Sequence, residues 1–255
     1  GKFSVDEINL SGVPDVVSIR ALGAGINNSI RTRKSFAHEK KTLRQIAQAV
    51  ADANGMVLQG TIPDILIERS TQNRESDLGF LRRLAQKFGL VFSVRDNLII
   101  FTDMFEIEAA NSVLKFGRTD VRGFDFTDSA VKTYKSSSVG YRSPETGELV
   151  AYNQSNDLVY EATVSGDAII IKDMRVENQG QAERVATVKL HQNNTAGLTG
   201  RLRLYGNELC LSGSNIDLDT SWKRFSGKYQ ITASTHIINK NVGYTTDIDI
   251  KGIPQ

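Results

Sequence analysis

The sequence predicts a mainly β protein that carries one small α+β insert. Three observations predict it. From residue 113 onward, short runs alternate apolar and polar side chains, and turn signals break them at regular intervals. Residues 3–26 alternate in the same way. Between these two β regions lie two capped stretches with helical periodicity. Many short strands with regular turns argue for a closed or nearly closed β-barrel.

The elements follow in chain order. Phe3, Val5, Ile8 and Leu10 supply the apolar positions of a first strand, with one phase break at Glu7. Ser11-Gly12-Val13-Pro14-Asp15 makes a turn, and Val16, Val17 and Ile19 form a second strand that Gly23 and Gly25 end. A two-stranded hairpin is too little to stand alone. The chain starts with Gly1 and goes straight into a strand, so a fragment with sequence missing upstream is expected. Residues 31–44 carry Arg31, Arg33, Lys34, Lys40, Lys41 and Arg44 against Glu39 alone. A solvated linker leading into a helix is expected there, with His38 exposed.

Thr42 and Gln45 have capping-box spacing, and Leu43, Ile46, Ala47 and Val50 share one helical face, so a helix is predicted over 43–54 with Gly55 past its end. Residues 62–68 suggest a short strand with Pro63 at its start. Ser76 caps a second helix over 77–88, with Leu78, Leu81, Leu84, Ala85 and Phe88 as its stripe and Gly89 as its stop. A hairpin follows at 90–94 and 98–101, and 103–111 reads as a connector. Beyond it, strands are predicted at 113–117, 121–126, 129–140, 149–152, 158–164, 168–172, 199–205, 208–218, 228–239 and 243–251. Turns fall at Pro144-Glu145-Thr146-Gly147, Gly206-Asn207, Ser212-Gly213-Ser214, Ser226-Gly227 and Asn241-Val242-Gly243. One helix, capped by Asn178, interrupts them at 179–193, with a weaker stripe of Ala182, Val185, Ala186 and Leu190.

Composition excludes much catalytic chemistry. Lys and Arg number 31 and Asp and Glu 29, for a net charge of +2 across 255 residues. A chain that grips nucleic acid shows a larger basic excess. The single cysteine, Cys210, excludes an internal disulfide and a cysteine-based zinc site, and it reads as a buried small hydrophobe. His38, His191 and His236 have no metal-ligand spacing. His236 reads as a strand residue. Asp217 and Asp219 are expected to share one strand face as polar residues. Trp222 is expected in the loop before the strand at Lys228, as a core plug or an interface anchor. GxSxG, P-loop and GxGxxG patterns are missing, Gly23-Ala24-Gly25 being too short for the last. No catalytic, cofactor-binding or metal residue is therefore assigned, and no enzyme or cofactor is expected.

The order of elements resembles the phage late control D family. These are baseplate hub proteins of contractile-tailed phages, related to the hub part of type VI secretion spike proteins. Residues 5–21, from Val5-Asp6-Glu7-Ile8 to Ser18-Ile19-Arg20-Ala21, resemble the last hairpin of the family's first barrel. Thr42-Leu43-Arg44-Gln45-Ile46 resembles the start of its middle module. The most specific string is Glu75-Ser76-Asp77-Leu78-Gly79-Phe80-Leu81-Arg82-Arg83-Leu84-Ala85, followed by Gly89-Leu90-Val91-Phe92. Gly227-Lys228-Tyr229-Gln230-Ile231, His236 and Gly243-Tyr244-Thr245-Thr246 resemble the closing hairpin of its second barrel.

The resemblance implies a hub-type β-barrel, a small LysM-like α+β module and the final strands of a second, N-terminally truncated barrel. It implies residues 1–34 as the hairpin of the first barrel, 35–110 as the module and 111–255 as the second barrel with one helix. It further implies a homotrimer with a pseudo-sixfold ring that joins a hexameric tail tube to a trimeric spike. The expected partners are self, tube, spike and other baseplate proteins, without nucleic-acid specificity or membrane insertion. The expected place is the virion tail baseplate, assembled in the bacterial host cytoplasm. Tyr141 and Trp222 are exposed-loop guesses for interface residues. Two other readings are weighed against it. The LysM-like module suggests a cell-wall-binding or wall-degrading tail protein, and the 31–44 basic run suggests a DNA-binding regulator.

Overall fold

The computed structural model describes residues 3–22, 32–95, 97–129, 134–142, 147, 149–155, 168–171 and 174–253. The strand expected at 158–164, most of the turn at 144–147 and Gly23-Ala24-Gly25 lie outside the described residues. The chain divides into two compact units, Gly1–Met104 and Phe105–Gln255. No helix among the described residues is long and apolar enough to cross a membrane.

Unit 1 opens with a hairpin of β1 (Ser4–Ser11) and β2 (Val16–Leu22). Val5 pairs with Ala21 and Glu7 with Arg20, which leaves Asp6 as an extra residue in a β-bulge. The bulge accounts for the phase break in the sequence. It sets Val5, Ile8 and Leu10 opposite Ala21, Ile19 and Val17, all on one face.

The rest of unit 1 runs β3 (Arg33–Thr42), α1 (Leu43–Ala53), β4 (Val57–Gln59), β5 (Leu66–Ser76), α2 (Asp77–Phe88), β6 (Leu90–Arg95) and β7 (Leu98–Asp103). Both helices start and stop where the sequence places them. The Thr42 hydroxyl accepts from Gln45 N at 3.2 Å, and the Gln45 side chain accepts from Thr42 N at 2.9 Å. Gly55 adopts φ +65°, and Gly89 closes α2 in the left-handed conformation. β3 pairs antiparallel with β5, while β4, β7 and β6 form a second sheet in that order. Leu43, Ile46, Phe80, Leu81, Phe88, Ile99 and Phe101 are fully buried at its core.

Two expectations fail here. The basic 31–44 run is not a linker. Its residues 33–42 form β3, and 62–68 marks only the start of the eleven-residue β5. The inner positions of this ribbon include His38, Ser70 and Gln72. These are polar, so no hydrophobic alternation announces the strands. His38, expected to be exposed, is buried.

A short helix, α3 (Met104–Ala109), starts at the last residue of unit 1 and forms the opening of unit 2, where the sequence suggests a connector. Then come β8 (Leu114–Phe116), β9 (Gly123–Asp128), β10 (Ser136–Arg142), β11 (Leu149–Ser155), β12 (Ala168–Ile171), α4 (Gln179–Thr195), β13 (Leu198–Tyr205), β14 (Asn215–Leu218), a 3-10 helix (Thr220–Phe225), β15 (Gly227–Asn239) and β16 (Gly243–Gly252). The expected 129–140 strand is represented by β10, which starts at Ser136. Tyr141, guessed to lie in a loop, belongs to it. Helix α4 packs on the sheet β11–β10–β12. It buries Gln181, Val188 and Thr195 as well as the expected stripe. Burial on two sides explains why a single stripe looks weak.

The main sheet has the order β8–β14–β15–β16–β13–β9. Among the described residues its backbone ladder has two ends, β8 and β9. Both ends nevertheless face one core, which Phe116, Leu202, Leu204, Ile216, Tyr229, Ile231, Ile248 and Ile250 fill. The 3-10 helix spans the gap between them. Trp222 is buried there and its Nε1 donates to the Phe116 carbonyl of β8 at 3.0 Å. Its ring meets Phe124 and Phe126 of β9 at centroid distances of 5.1 and 5.4 Å. Arg224 adds an ion pair to Asp128. Trp222 is thus a plug in a 3-10 helix and not an exposed anchor.

The strand expected at 208–218 is reduced to 215–218. Cys210 is buried while Leu209 and Leu211 are exposed, so the alternation is real. The backbone forms turns instead, with Leu211 N donating to Leu209 O and Ser214 N to Leu211 O. Asp217 and Asp219 do not share a strand face. Asp217 lies in β14, and Asp219 caps the 3-10 helix by accepting from Ser221 N.

Trp222→Ala is expected to destabilise unit 2 by about 3–5 kcal/mol, as large aromatic truncations do. Trp222→Phe keeps the ring packing and loses the indole hydrogen bond, so it costs less. Urea midpoints at unchanged m-value measure both.

Candidate assembly surfaces

Burial disposes of most of the chemistry-bearing residues. Desolvation pushes the Cys210 thiol up to about 11, so it stays protonated at neutral pH. His236 joins a chain of hydroxyls on β15 and β16. Its Nε2 lies 3.0 Å from Ser234 Oγ, and its Nδ1 lies 2.9 Å from Tyr244 OH and 3.2 Å from Thr246 Oγ1. A Ser–His contact invites a nucleophile reading. However, the Ser234 hydroxyl donates to the Cys210 carbonyl, which can only accept. The other ring nitrogen meets hydroxyls where a triad needs an orienting carboxylate. Among the described residues no three His, Cys, Asp or Glu side chains are placed to hold a metal ion.

Two buried carboxylates knit elements together, Asp77, which the sequence suggests only as a first-turn acid, and Glu108. In unit 1, Asp77 accepts from Lys34 Nζ at 2.7 Å, Asn54 Nδ2 at 2.9 Å and Gln72 Nε2 at 2.9 Å. One carboxylate therefore joins β3, the end of α1, β5 and the start of α2. Burial raises its pKa, and the bonds from Asn54, Lys34 and Gln72 outweigh this and hold it below the ordinary value. In unit 2, Glu108 of α3 accepts from His191 Nε2 of α4 at 2.6 Å and from Lys251 Nζ of β16 at 2.7 Å. Burial again raises its pKa, and those two partners outweigh it. Asn215 Nδ2 of β14 bonds the Ile107 and Ala110 carbonyls at 2.6 and 2.8 Å, which ends α3. Most of these partners lie 23 to 143 residues apart and so leave no local pattern, which is why sequence inspection misses these knots.

What remains is surface. The apolar face of the β1–β2 hairpin lies open, with Ile8 66% and Leu10 68% exposed and Phe3, Val5, Val17 and Ile19 similarly bare. Covering a side chain of this kind is worth about 1.5–3 kcal/mol, so the face is a strong driver of association. In unit 2 the far end of the β15–β16 hairpin exposes Ile237, Ile238 and Val242. The outer face of the main sheet is charged. Arg201 stands between Asp125 of β9 and Asp249 of β16, and it bonds Asp249 at 2.7 and 3.3 Å. Such exposed pairs contribute little to stability and suit a face turned to water or to a polar partner.

Comparison with known proteins agrees with the family read from the sequence. The family model described as "Phage tail baseplate hub (GPD)" matches residues 29–242. A probable baseplate hub protein of Escherichia phage P2 is 36% identical over 103 residues, which is 40% of this chain and 27% of that protein. The chain thus aligns with about a quarter of that relative's length. Among solved structures, the tail protein from Neisseria meningitidis MC58 superposes with a TM-score of 0.73 at 10% identity, covering 98% of this chain and 79% of that one. The E. coli c3393 protein, described as a component of the type VI secretion system, superposes with a TM-score of 0.55 at 16% identity, covering 89% and 52% of the two chains. At these identities the structural matches establish the shared fold.

The knots set an acid limit. Both carboxyls have folded pKa values below their unfolded ones, so their contribution is complete above about pH 4–5. It is lost as pH falls through the depressed folded values. Glu108→Ala leaves His191 and Lys251 without their shared partner and is expected to cost unit 2 about 3 kcal/mol. A denaturation series from pH 7 to pH 2 on wild type and variant checks both. The gap between the two is expected to narrow at the acid end.

Proposed function

The chain belongs to the phage tail baseplate hub family, and on that premise we propose that it is the structural hub of a contractile tail. In this role it forms a trimer that adapts a hexameric tail tube to a trimeric spike. The match to the hub family across residues 29–242 carries the reading. The physical problem is one of symmetry. Rings close only when each subunit presents surfaces that fit its neighbours. Two similar barrels per subunit in three subunits offer six similar surfaces to the tube.

The division of labour follows the same proposal. Residues 1–34 are the last hairpin of one tube-like barrel, 35–110 a LysM-like module and 111–255 the second tube-like barrel. The open hairpin face supports this division, since a strand pair with Phe3, Val5, Ile8 and Leu10 on one side needs further strands over it. The work is assembly and not catalysis, as the descriptions of its relatives suggest. The place is the virion tail, built in the host cytoplasm together with the tube, spike and other baseplate proteins.

Light scattering on the natural full-length protein tests the proposal. The expected mass is three chains, with tube and spike proteins co-purifying. A stable monomer that binds neither would sink it. Ile8→Asp combined with Leu10→Asp is expected to weaken assembly of the full-length protein at least tenfold. In the 255-residue chain the same pair changes unit 1 stability by only about 0.5 kcal/mol or less, because both side chains are already in water.

A further inference from the structure

We propose that His38 is an acid-sensitive latch in unit 1: protonation of its buried ring loosens β3 from β5 and α2. The proposal does not rest on the hub reading. His38 is 5% exposed and stands on β3 opposite Ser70 of β5. Its ring stacks on Phe80 of α2, with centroids 5.2 Å apart and planes 10° apart. Phe36 meets it edge-on at 4.9 Å. Its Nδ1 is buried and has no hydrogen-bond partner. A neutral ring tolerates this seat with Nδ1 as an idle acceptor. An imidazolium carries a proton on Nδ1 as well as on Nε2 and needs an acceptor at the buried Nδ1.

The surroundings offer none to spare. On β3, Lys41 repels a second cation, and Lys34 is bonded to Asp77. Also on β3, Glu39 faces Arg69 of β5 at 3.7 Å. Glu75 of β5 holds Arg83 of α2 at 2.5 Å, and that guanidinium lies 5.3 Å over the Phe80 ring. Asp77 of α2 attracts a charged ring, but its oxygens already accept from Lys34, Asn54 and Gln72. Stacking on Phe80 leaves a cation–π attraction that does not satisfy the buried Nδ1–H. Desolvation, with Lys41 adding to it, accordingly lowers the pKa of His38 below its ordinary value, and Asp77 opposes this only in part.

The direction follows by linkage. An unfolded or opened strand takes up a proton near pH 6.5, while the folded seat resists it. The contribution of neutral His38 is therefore complete above pH 6.5 and is lost as pH falls toward the folded value. Lys34 lies four residues earlier on β3, so release of His38 also strains the Asp77 knot.

Native-state hydrogen exchange tests this on the 255-residue chain. After correction for intrinsic rates, the opening constant of β3 and β5 amides is expected to rise up to about tenfold between pH 7.5 and 5.5. His38→Phe, which keeps a ring of similar size, is expected to hold it flat. His191 and His236 belong to unit 2, so exchange read locally in β3 separates them. An equal rise in wild type and His38→Phe would overturn the proposal. Should the variant fail to fold, NMR titration of the His38 ring in the wild type decides, and titration at the ordinary value overturns it.

Discussion

A sheet that curls round a core must either close its backbone ladder or cover the gap between its end strands. Unit 2 takes the second course, and Trp222 does the covering. The described ladder stops at three-residue β8 on one side and at β9 on the other. The indole spans the opening by donating to the Phe116 carbonyl of one end and meeting Phe124 and Phe126 of the other edge to face. Much of the local sequence serves this contact. Asp219 caps the 3-10 helix that presents the ring, and Gly200 lacks the Cβ that would collide with Phe126 at 2.7 Å. Tyr229 turns its hydroxyl to the Phe225 carbonyl to finish the aromatic cluster.

Both units use the same answer to a second problem. Short helices and narrow sheets meet at angles that leave backbone ends and polar side chains inside. Each unit sets one carboxylate at that meeting point and surrounds it with donors. Removing a charge from water is costly, and only complete hydrogen bonding offsets it. Asp77 with three donors and Glu108 with two meet this condition. Their value lies in position as much as in energy, because each ties several elements to one point.

The regular elements were legible because their signals are local. Thr42 with Gln45, Ser76 with Gly89 and Asn178 mark helix ends within a few residues. The breaks at Gly206 and Gly243 mark the strands between them. The string around Asp77 was specific enough to name the family. Illegible features are those whose partner is distant or whose pattern is polar. β3 and all but the start of β5 escape the sequence because His38, Ser70 and Gln72 occupy their inner face. Helix α3 was missed because Glu108 and Asn215, more than a hundred residues apart, stabilise it. Cys210 and its neighbours misled in the opposite direction, since a turn can bury alternate residues as a strand does. Trp222 is the core plug that the sequence already allows, and its burial removes the exposed-loop interface guess.

The bulge at Asp6 bears on what the hairpin is for. A hairpin in water gains nothing from gathering its apolar side chains, and a plain register would split Phe3 and Val5 from Ile8 and Leu10. One inserted residue turns them all to the same side, opposite Val17, Ile19 and Ala21. Bulges disrupt a ladder locally and leave a residue unpaired, so they persist where something depends on the re-aimed side chains. The cost falls on a two-stranded ribbon that is marginal in isolation. The gain appears only when another apolar surface lies on that face. The register of β1 and β2 therefore gathers their apolar side chains on one exposed face, the arrangement an association surface needs.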